Sequence, residues 1–190
     1  MTNFYGYYSN YINRLADALR FVDKDQMNEF CSTMVEVWRR RQHIYLIGNG
    51  GSAGNSIHIA NDFVYGAASV ALGGGAKMSS LAANGSILTC LGNDLGYGEV
   101  FAAQLRTYGE PGDLLIVLSG SGNSKNILEA LKVAKNLKMC TAGLLGFDGG
   151  AALDLVDFPV HIKVPDMQIS EDFQLIFMHA LMQYVNSSKD

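Results

Sequence analysis

The chain has 190 residues, 48% of them hydrophobic, and is long enough to bury a substantial core within one domain. Its net charge of −4 provides no basic surface for nucleic acid, and no stretch of about 18 apolar residues predicts a bilayer-spanning helix. The N-terminal residues lack a signal-peptide pattern, and three cysteines without CxxC spacing indicate free thiols in a reducing compartment. We expect a cytoplasmic protein that binds neither nucleic acid nor membranes.

Residues 1–41 are predicted to form a pair of helices ahead of an α/β core at residues 42–190. Apolar side chains recur three or four positions apart, and Asp23–Asp25 interrupts the pattern with residues that cap helices. The basic run Arg39–Arg41 suits a helix C-terminus, where the helix dipole favours positive charge. The apolar positions are Tyr11, Ile12, Leu15, Leu19 and Phe21 in the first helix and Phe30, Met34, Val35 and Trp38 in the second.

Beyond the helical pair, short apolar runs alternate with helical stretches. This alternation predicts a doubly wound α/β fold, in which helices cover both faces of a parallel sheet. The predicted strands are Ile44–Ile47, Met78–Leu81, Leu114–Leu118, Thr141–Leu145 and Val160–Val164. The predicted helices are Ser56–Tyr65, Gly85–Leu91, Glu99–Tyr108, Asn126–Leu137, Ala151–Val156 and Glu171–Asn186.

Two loops rich in glycine and serine, Gly48–Gly54 and Ser119–Ser124, follow the first and third predicted strands. Ligands bind at the carboxyl ends of the strands in sheets of this type. Glycines let backbone N–H groups converge, the start of the next helix adds partial positive charge, and serine hydroxyls donate further hydrogen bonds. We therefore predict that the Ser119–Ser124 loop binds a phosphate group.

Two other phosphate-binding motifs fit less well. A P-loop requires the string GxxxxGK[ST], which the sequence does not contain. Gly48, Gly50 and Ala53 match the dinucleotide fingerprint GxGxx[GA], but that fingerprint also expects an acidic residue at the end of the second strand. The corresponding segment, Lys77–Asn84, contains no carboxylate, so the sequence does not favour NAD binding.

Five short strings are distributed along the chain: Gly48–Ser52, His58–Ala60, Gly92–Asp94, Ser119–Ser124 and Asp148–Gly150. In order and spacing they resemble the sugar isomerase (SIS) domain family, specifically its phosphoheptose isomerase branch, over essentially the whole chain. The resemblance implies a three-layer αβα sandwich of the flavodoxin-like kind with a five-stranded parallel sheet. It also implies a homotetramer with active sites at the subunit contacts.

The activity implied by the resemblance is isomerisation of a ketose phosphate to an aldose phosphate through an enediol. The implied example is conversion of sedoheptulose 7-phosphate to D-glycero-D-manno-heptose 7-phosphate. By position, Ser119, Ser121 and Ser124 would hold the phosphate, with Gly120 where the family often has threonine. The implied sugar contacts are Asn49, Gly50, Gly51, Ser52, Asn93, Asp94 and Gln174.

A zinc site is also implied, because family members often bind zinc through a histidine and a glutamate one helical turn apart. A glutamine and a histidine on the last helix complete the family's set. The matching residues are His58, Asp62 and Gln174, with Asp62 replacing the glutamate that moves the proton. Its side chain is shorter by one C–C bond, about 1.5 Å. Because amide oxygen is a weak zinc ligand, zinc is a candidate cofactor but not a requirement.

The histidine expected eight residues after Gln174 is replaced by Met182. His179 lies five residues after Gln174, about 140° around a helix, and its apolar neighbours favour a packing role. A repositioned helix or a neighbouring subunit would be needed to bring it into the site. Two hypotheses remain: an isomerase with Asp62 as the base, or a sugar-phosphate-binding protein without isomerase activity that acts as a sensor or assembly partner. The retained carboxylate favours the first and Met182 the second. The glycine-rich segment Gly66–Ala76 is predicted only as a flexible connection.

Overall fold

One sheet of five parallel strands, in the order β2-β1-β3-β4-β5, forms the centre of the structure. The computed structural model describes residues 3–66 and 72–187. Strands β1 and β3 are buried along their whole length because helices cover both faces of the sheet. The strands are β1 (Ile44–Ile47), β2 (Met78–Ser80), β3 (Leu114–Ser119), β4 (Cys140–Leu145) and β5 (Phe158–His161).

Within the described residues, eight α-helices surround this sheet. Helices α1, α2, α3 and α8 pack on one face, and α4 to α7 pack on the other. None of the described helices combines the length and apolar character needed to cross a membrane. The helices are α1 (Phe4–Arg20), α2 (Lys24–Arg39), α3 (Gly51–Asn61), α4 (Gly85–Asp94), α5 (Ala102–Tyr108), α6 (Lys125–Asn136), α7 (Gly150–Leu153) and α8 (Met167–Ser187).

The two faces of the sheet belong to separate apolar cores. In β1, Ile44 and Leu46 point into the core under α2, α3 and α8, whereas Ile47 points into the core under α5 and α6. This alternation follows from the two-residue repeat of a strand. The structure confirms the predicted α/β class, the five-stranded parallel sheet and the N-terminal pair of helices.

Several predicted element boundaries were wrong, and three of the differences bear on the site or on the sheet. Strand β5 begins at Phe158, two residues before the predicted start, because Pro159 is tolerated on an edge strand. Helix α8 begins at Met167, four residues before the predicted start, and the Asp166 carboxylate accepts a hydrogen bond from the N–H of Ile169. Helix α3 begins inside the first glycine-rich loop, which its composition had marked as irregular.

Helix α1 lies on the surface of the fold and contains no buried residue. The Tyr11 hydroxyl donates a hydrogen bond of 2.6 Å to the Asp172 carboxylate on α8, and Arg14 forms an ion pair with Asp166. Burial and the neighbouring Asp172 raise the pKa of Tyr11 to about 12. Both contacts attach α1 to the first turns of α8.

The glycine-rich segment before β2 is held by the end of α2. Trp38 Nε1 donates a hydrogen bond of 2.9 Å to the carbonyl of Gly74, and Arg41 donates one of 2.8 Å to the carbonyl of Gly75. Of the segment predicted to be a flexible connection, residues 67–71 lie outside the described residues. The described part is anchored by these two side chains.

We predict that Trp38→Phe lowers the free energy of unfolding by about 1–3 kcal/mol, because it removes the bond to Gly74 and leaves that carbonyl unpaired. The substitution also alters the edge-on contact between Trp38 and Phe63. Urea denaturation followed by circular dichroism measures the change. Lys132→Ala, which removes an exposed ion pair, is the control and should change stability by about 0.5 kcal/mol or less. Equal effects of the two substitutions would contradict the prediction.

Candidate active site

The two glycine- and serine-rich loops lie side by side at the carboxyl ends of β1 and β3, where they form the walls of a cleft of about 270 Å³. The first turns of α8 form the remaining wall. Parallel neighbours in the sheet end at the same edge, which explains why loops 70 residues apart in sequence meet. The cleft is lined by Asn49, Gly50, Gly51, Ser52, Leu118, Ser119, Gly120, Ser121, Ser124, Met167 and Glu171.

The Ser119–Ser124 loop connects β3 to the N-terminus of α6. The Ser119 hydroxyl oxygen accepts a hydrogen bond of 3.0 Å from the N–H of Gly122, which turns the chain tightly. Ser124 is the N-cap of α6, but its side chain makes no capping hydrogen bond, so the hydroxyl is left for a ligand. A helix start of this kind favours an anion.

A second turn, Asp148–Gly150, packs against this loop. Gly122 and Gly149 both have positive φ angles, 64° and 85°, and a side chain at 122 would overlap the carbonyl of Gly149. The Asn123 side chain joins the two turns by accepting a hydrogen bond of 3.0 Å from the N–H of Ala151. The Asp148–Gly150 string therefore has a structural role, because its glycines allow close packing against the Ser119–Ser124 loop.

The loop after β1 is equally dependent on glycine. Gly48 packs against the first turn of α3, where a β-carbon on residue 48 would come within 2.6 Å of the Ser52 carbonyl oxygen. Gly50 has a φ of 55°, a conformation that other residues rarely adopt. A side chain at Gly51 would overlap the carboxylate of Glu171 from α8. The Glu171 carboxylate therefore lies directly against the backbone of Gly51.

Met167, the first residue of α8, packs against Gly120 of the Ser119–Ser124 loop. A β-carbon at position 120 would overlap the Sδ atom of Met167, so a larger residue there requires the Met167 thioether to move. Neither Met167 nor Glu171 was identified as a site residue from the sequence, where the predicted helix began at Glu171 and left Met167 outside it.

The Asn49 side chain is held on both of its polar atoms. Its Nδ2 donates a hydrogen bond of 2.9 Å to Asn126 Oδ1, and its Oδ1 accepts one of 2.8 Å from Asn126 Nδ2. The Tyr97 hydroxyl donates another, of 2.8 Å, to the same Oδ1 atom. These contacts connect the loop after β1 to α6.

Gln174, implied as a metal ligand and a sugar contact, forms hydrogen bonds from α8 to α3. Its side chain is buried, and its Nε2 donates a hydrogen bond of 3.0 Å to the Ser52 hydroxyl. Its Oε1 accepts one of 2.9 Å from the Asn55 amide. Both polar atoms are therefore used to hold α8 against α3.

His179, predicted to have a packing role, instead lies beside His58 and Asp62. The Nε2 atoms of the two histidines are 3.0 Å apart. The Oδ2 atom of Asp62 lies 3.3 Å from His58 Nε2 and 3.2 Å from His179 Nε2. These three atoms form a group that could hold a metal ion. The interpretation of His179 was wrong because His58 and His179 meet at the exposed flank of the α3–α8 pair.

The position of His179 also changes how the family's glutamine–histidine pattern aligns with α8. The resemblance implied a glutamine eight residues before the histidine, and the residue eight positions before His179 is Glu171. Glu171 lines the cleft, whereas Met182 packs against the apolar core. The pair Gln174 and Met182 was therefore the wrong alignment of the implied pattern.

Asn93 and Asp94 lie at the end of α4 and are exposed. Asn93 Nδ2 donates a hydrogen bond of 2.8 Å to Asp94 Oδ1. Neither side chain lines the cleft formed within this chain. Their contact with sugar hydroxyls stays a prediction.

Comparison with known proteins supports the resemblance. The model of the SIS domain matches residues 7–146. The phosphoheptose isomerase of Clostridium acetobutylicum is 35% identical over 162 residues, which cover 85% of this chain and 81% of that protein. That of Chlorobaculum parvum is 33% identical over 178 residues, covering 93% and 85% respectively.

Solved structures agree with these sequence matches. A phosphoheptose isomerase from Neisseria gonorrhoeae is 28% identical and superimposes with a TM-score of 0.85 over 96% of both chains. One from Francisella tularensis is 22% identical and has a TM-score of 0.86, covering 99% of this chain and 100% of the other. At that identity the second comparison supports the fold alone.

We predict that Gly120→Ala weakens binding of inorganic phosphate about tenfold and that adding Met167→Ala restores most of the loss. The reason is steric: the new β-carbon needs the space of the Met167 thioether, and shortening residue 167 vacates it. Titration calorimetry with inorganic phosphate measures both variants. Met167→Ala alone is the control and should change affinity by less than about threefold. Equally weak binding by the single and double variants would show that Met167 is not the obstacle.

Proposed function

The chain belongs to the phosphoheptose isomerase branch of the SIS domain family, and we propose that its cleft converts sedoheptulose 7-phosphate to D-glycero-D-manno-heptose 7-phosphate. The protein is an aldose–ketose isomerase acting on a phosphorylated sugar. One observation carries the proposal: α3 and α8 together contribute to the phosphate cleft and to a carboxylate between two imidazoles. The alternative of binding without isomerisation loses its main support, because His179 supplies the imidazole that Met182 does not.

The phosphate end of the substrate is assigned to the Ser119–Ser124 loop. Hydroxyls of Ser119, Ser121 and Ser124 surround one end of the cleft, together with the N-terminus of α6. Neutral donors and a helix start bind a phosphate dianion through hydrogen bonds and the partial charge of the helix. The sugar then extends past Asn49–Ser52 along α3.

Asp62 is the proposed base. Its Oδ2 atom faces the two imidazoles, whereas the one contact of Oδ1 among the described residues is a long one of 3.5 Å from Asn61. We assign Oδ1 to remove the proton from C1 of the ketose, which gives the enediol, and to return it to C2. A proton moves from O1 to O2 in the same conversion, and the imidazole of His179 is placed to carry it.

The cluster fits zinc in the chemistry of its donors. Zinc is commonly held by two imidazoles and one carboxylate, and atoms at about 2.0–2.1 Å from a tetrahedral ion lie about 3.3 Å from one another. The separations of 3.0–3.3 Å in the cluster agree with this value. His58, Asp62 and His179 would hold the ion. Zinc bound there would polarise the carbonyl and hydroxyl oxygens of the sugar.

A homotetramer in the cytoplasm completes the proposal. Helix α1 has no buried residue, and its aromatic side chains Phe4 and Tyr5 are 77% and 72% exposed. An amphipathic helix with exposed aromatic residues is suited to contact with a second copy. Cys31, Cys90 and Cys140 are free thiols, which is consistent with a reducing compartment.

We expect the purified protein to convert sedoheptulose 7-phosphate to the aldose, as followed by NMR. Asp62→Asn should lower kcat by about 10²-fold or more, because an amide cannot accept the C1 proton. Asp154→Asn, which changes an exposed carboxylate away from the cleft, is the matched control. Binding of sedoheptulose 7-phosphate without turnover by the wild-type protein would favour the alternative hypothesis.

We also expect the protein to bind zinc near one equivalent per chain, measured by mass spectrometry of the metal and by competition with a chelating dye. His179→Ala should weaken zinc binding about 10–100-fold through loss of one of three ligands. His43→Ala serves as the control, since His43 is bonded to Ser79 at the other end of the sheet. Equal zinc affinity in the His179 variant and the wild type would contradict the assignment of ligands.

A further inference from the structure

We propose that Asn126 and Tyr97 are positioning residues that hold the Asn49 side chain as a hydrogen-bond donor toward the sugar. The proposal rests on the function assigned above to the cleft. Asn49 lines the cleft and belongs to the loop that faces the sugar. Neither Asn126 nor Tyr97 lines the cleft itself.

Asn126 is a buried amide directed at a single partner. It lies in the first turn of α6, two residues after the phosphate loop, and its side chain is only 2% exposed. Its Oδ1 and Nδ2 atoms both bond to Asn49, at 2.9 and 2.8 Å. A buried amide with all of its side-chain hydrogen bonds to one residue rigidly connects the two loops.

Tyr97 is the second residue that bonds to the Asn49 side chain. It begins a 3-10 turn, Tyr97–Glu99, that follows Gly96, whose φ of 87° reverses the chain. The turn packs on α6, where the Lys125 side chain lies against Gly98. Although the tyrosine is 62% exposed, its hydroxyl donates to Asn49 Oδ1 at 2.8 Å.

These contacts determine the polarity that Asn49 presents to a ligand. A carbonyl oxygen accepts two hydrogen bonds, and Oδ1 already accepts one from Asn126 and one from Tyr97. Nδ2 carries two hydrogens, of which one is donated to Asn126. Among the described residues the second has no partner, so Asn49 offers a donor and no acceptor.

A donor at this position suits the proposed chemistry. Removal of the C1 proton places negative charge on the sugar oxygens, and a donor that is already oriented stabilises that charge without reorganisation. If Asn49 were free to rotate, its carbonyl oxygen could face the sugar and repel the same charge. Asn126 and Tyr97 prevent this rotation, and they act only through Asn49.

The test compares Tyr97→Phe with the wild type in binding of two probes, inorganic phosphate and sedoheptulose 7-phosphate. Loss of one hydrogen bond to Asn49 should weaken binding of the sugar phosphate about fivefold and leave inorganic phosphate within about twofold. If turnover is present, kcat should fall by a similar or larger factor. Tyr45→Phe is the matched control, since it removes a hydroxyl bonded at 2.9 Å to the Tyr108 carbonyl, outside the cleft.

A double-mutant cycle separates positioning from a general structural effect. In an Asn49→Ala background, Tyr97→Phe and Asn126→Ala should each change sugar-phosphate affinity by less than about twofold, because their effect passes through Asn49. If either substitution weakened sugar-phosphate binding in the Asn49→Ala background by the same factor as in the wild type, the proposal would be overturned. Unchanged sugar-phosphate binding by Tyr97→Phe would also overturn it. Because Tyr97 is exposed, its variant remains informative if Asn126→Ala fails to fold.

The same measurements distinguish this proposal from the proposed function. Sugar-phosphate binding without turnover by the wild type would contradict the isomerase assignment, while the binding comparison would still test Tyr97 and Asn126. Normal turnover with no effect of Tyr97→Phe on either probe would contradict the positioning role alone.

Discussion

The contact between α3 and α8 is the constraint on which the candidate active site depends. The buried amide of Gln174 joins α8 to Ser52 and Asn55 of α3, near the middle of this contact. Toward the start of α3, Glu171 lies against Gly51 in the cleft. Beyond the amide, His179 meets Asp62. One helix pair therefore positions both the loop after β1 and the proposed acid–base cluster, and Gln174, implied as a ligand, connects the two.

The Ser119–Ser124 loop, which we propose binds the phosphate, depends on close packing of its backbone rather than on positively charged side chains. Among residues 3–66 and 72–187 no lysine or arginine lines the cleft, and the proposed donors are serine hydroxyls and the start of α6. Such donors are effective only if the backbone is held in place. Gly122 and Gly149 allow the Asp148–Gly150 turn to support the loop, and Asn123 bonds across to it. The glycines of these two turns are thus explained by the close approach of one backbone to the other.

Asp62 illustrates how surroundings can offset a shorter side chain. Loss of one C–C bond relative to glutamate moves the carboxylate back by about 1.5 Å. In the structure a π-helical turn, Asp62–Gly66, follows α3 directly, and Asp62 lies at its start. The carboxylate there is within 3.3 Å of both imidazoles. The backbone at the end of α3 therefore places the shorter side chain in contact with its partners.

The sequence by itself determined the α/β class, the order of the strands along the chain and the two loops that form the cleft, because these depend on local periodicity and on glycine and serine content. It could not align α8, since Gln174–Met182 and Glu171–His179 have the same spacing of eight and only packing against α3 distinguishes them. Nor could it find the link from Asn49 to Asn126 and Tyr97, because residues 48 and 77 positions apart meet only after the sheet has formed. The tertiary structure decided which side chains face Asp62, for the physical reason that a helix can present several faces and its neighbour selects one.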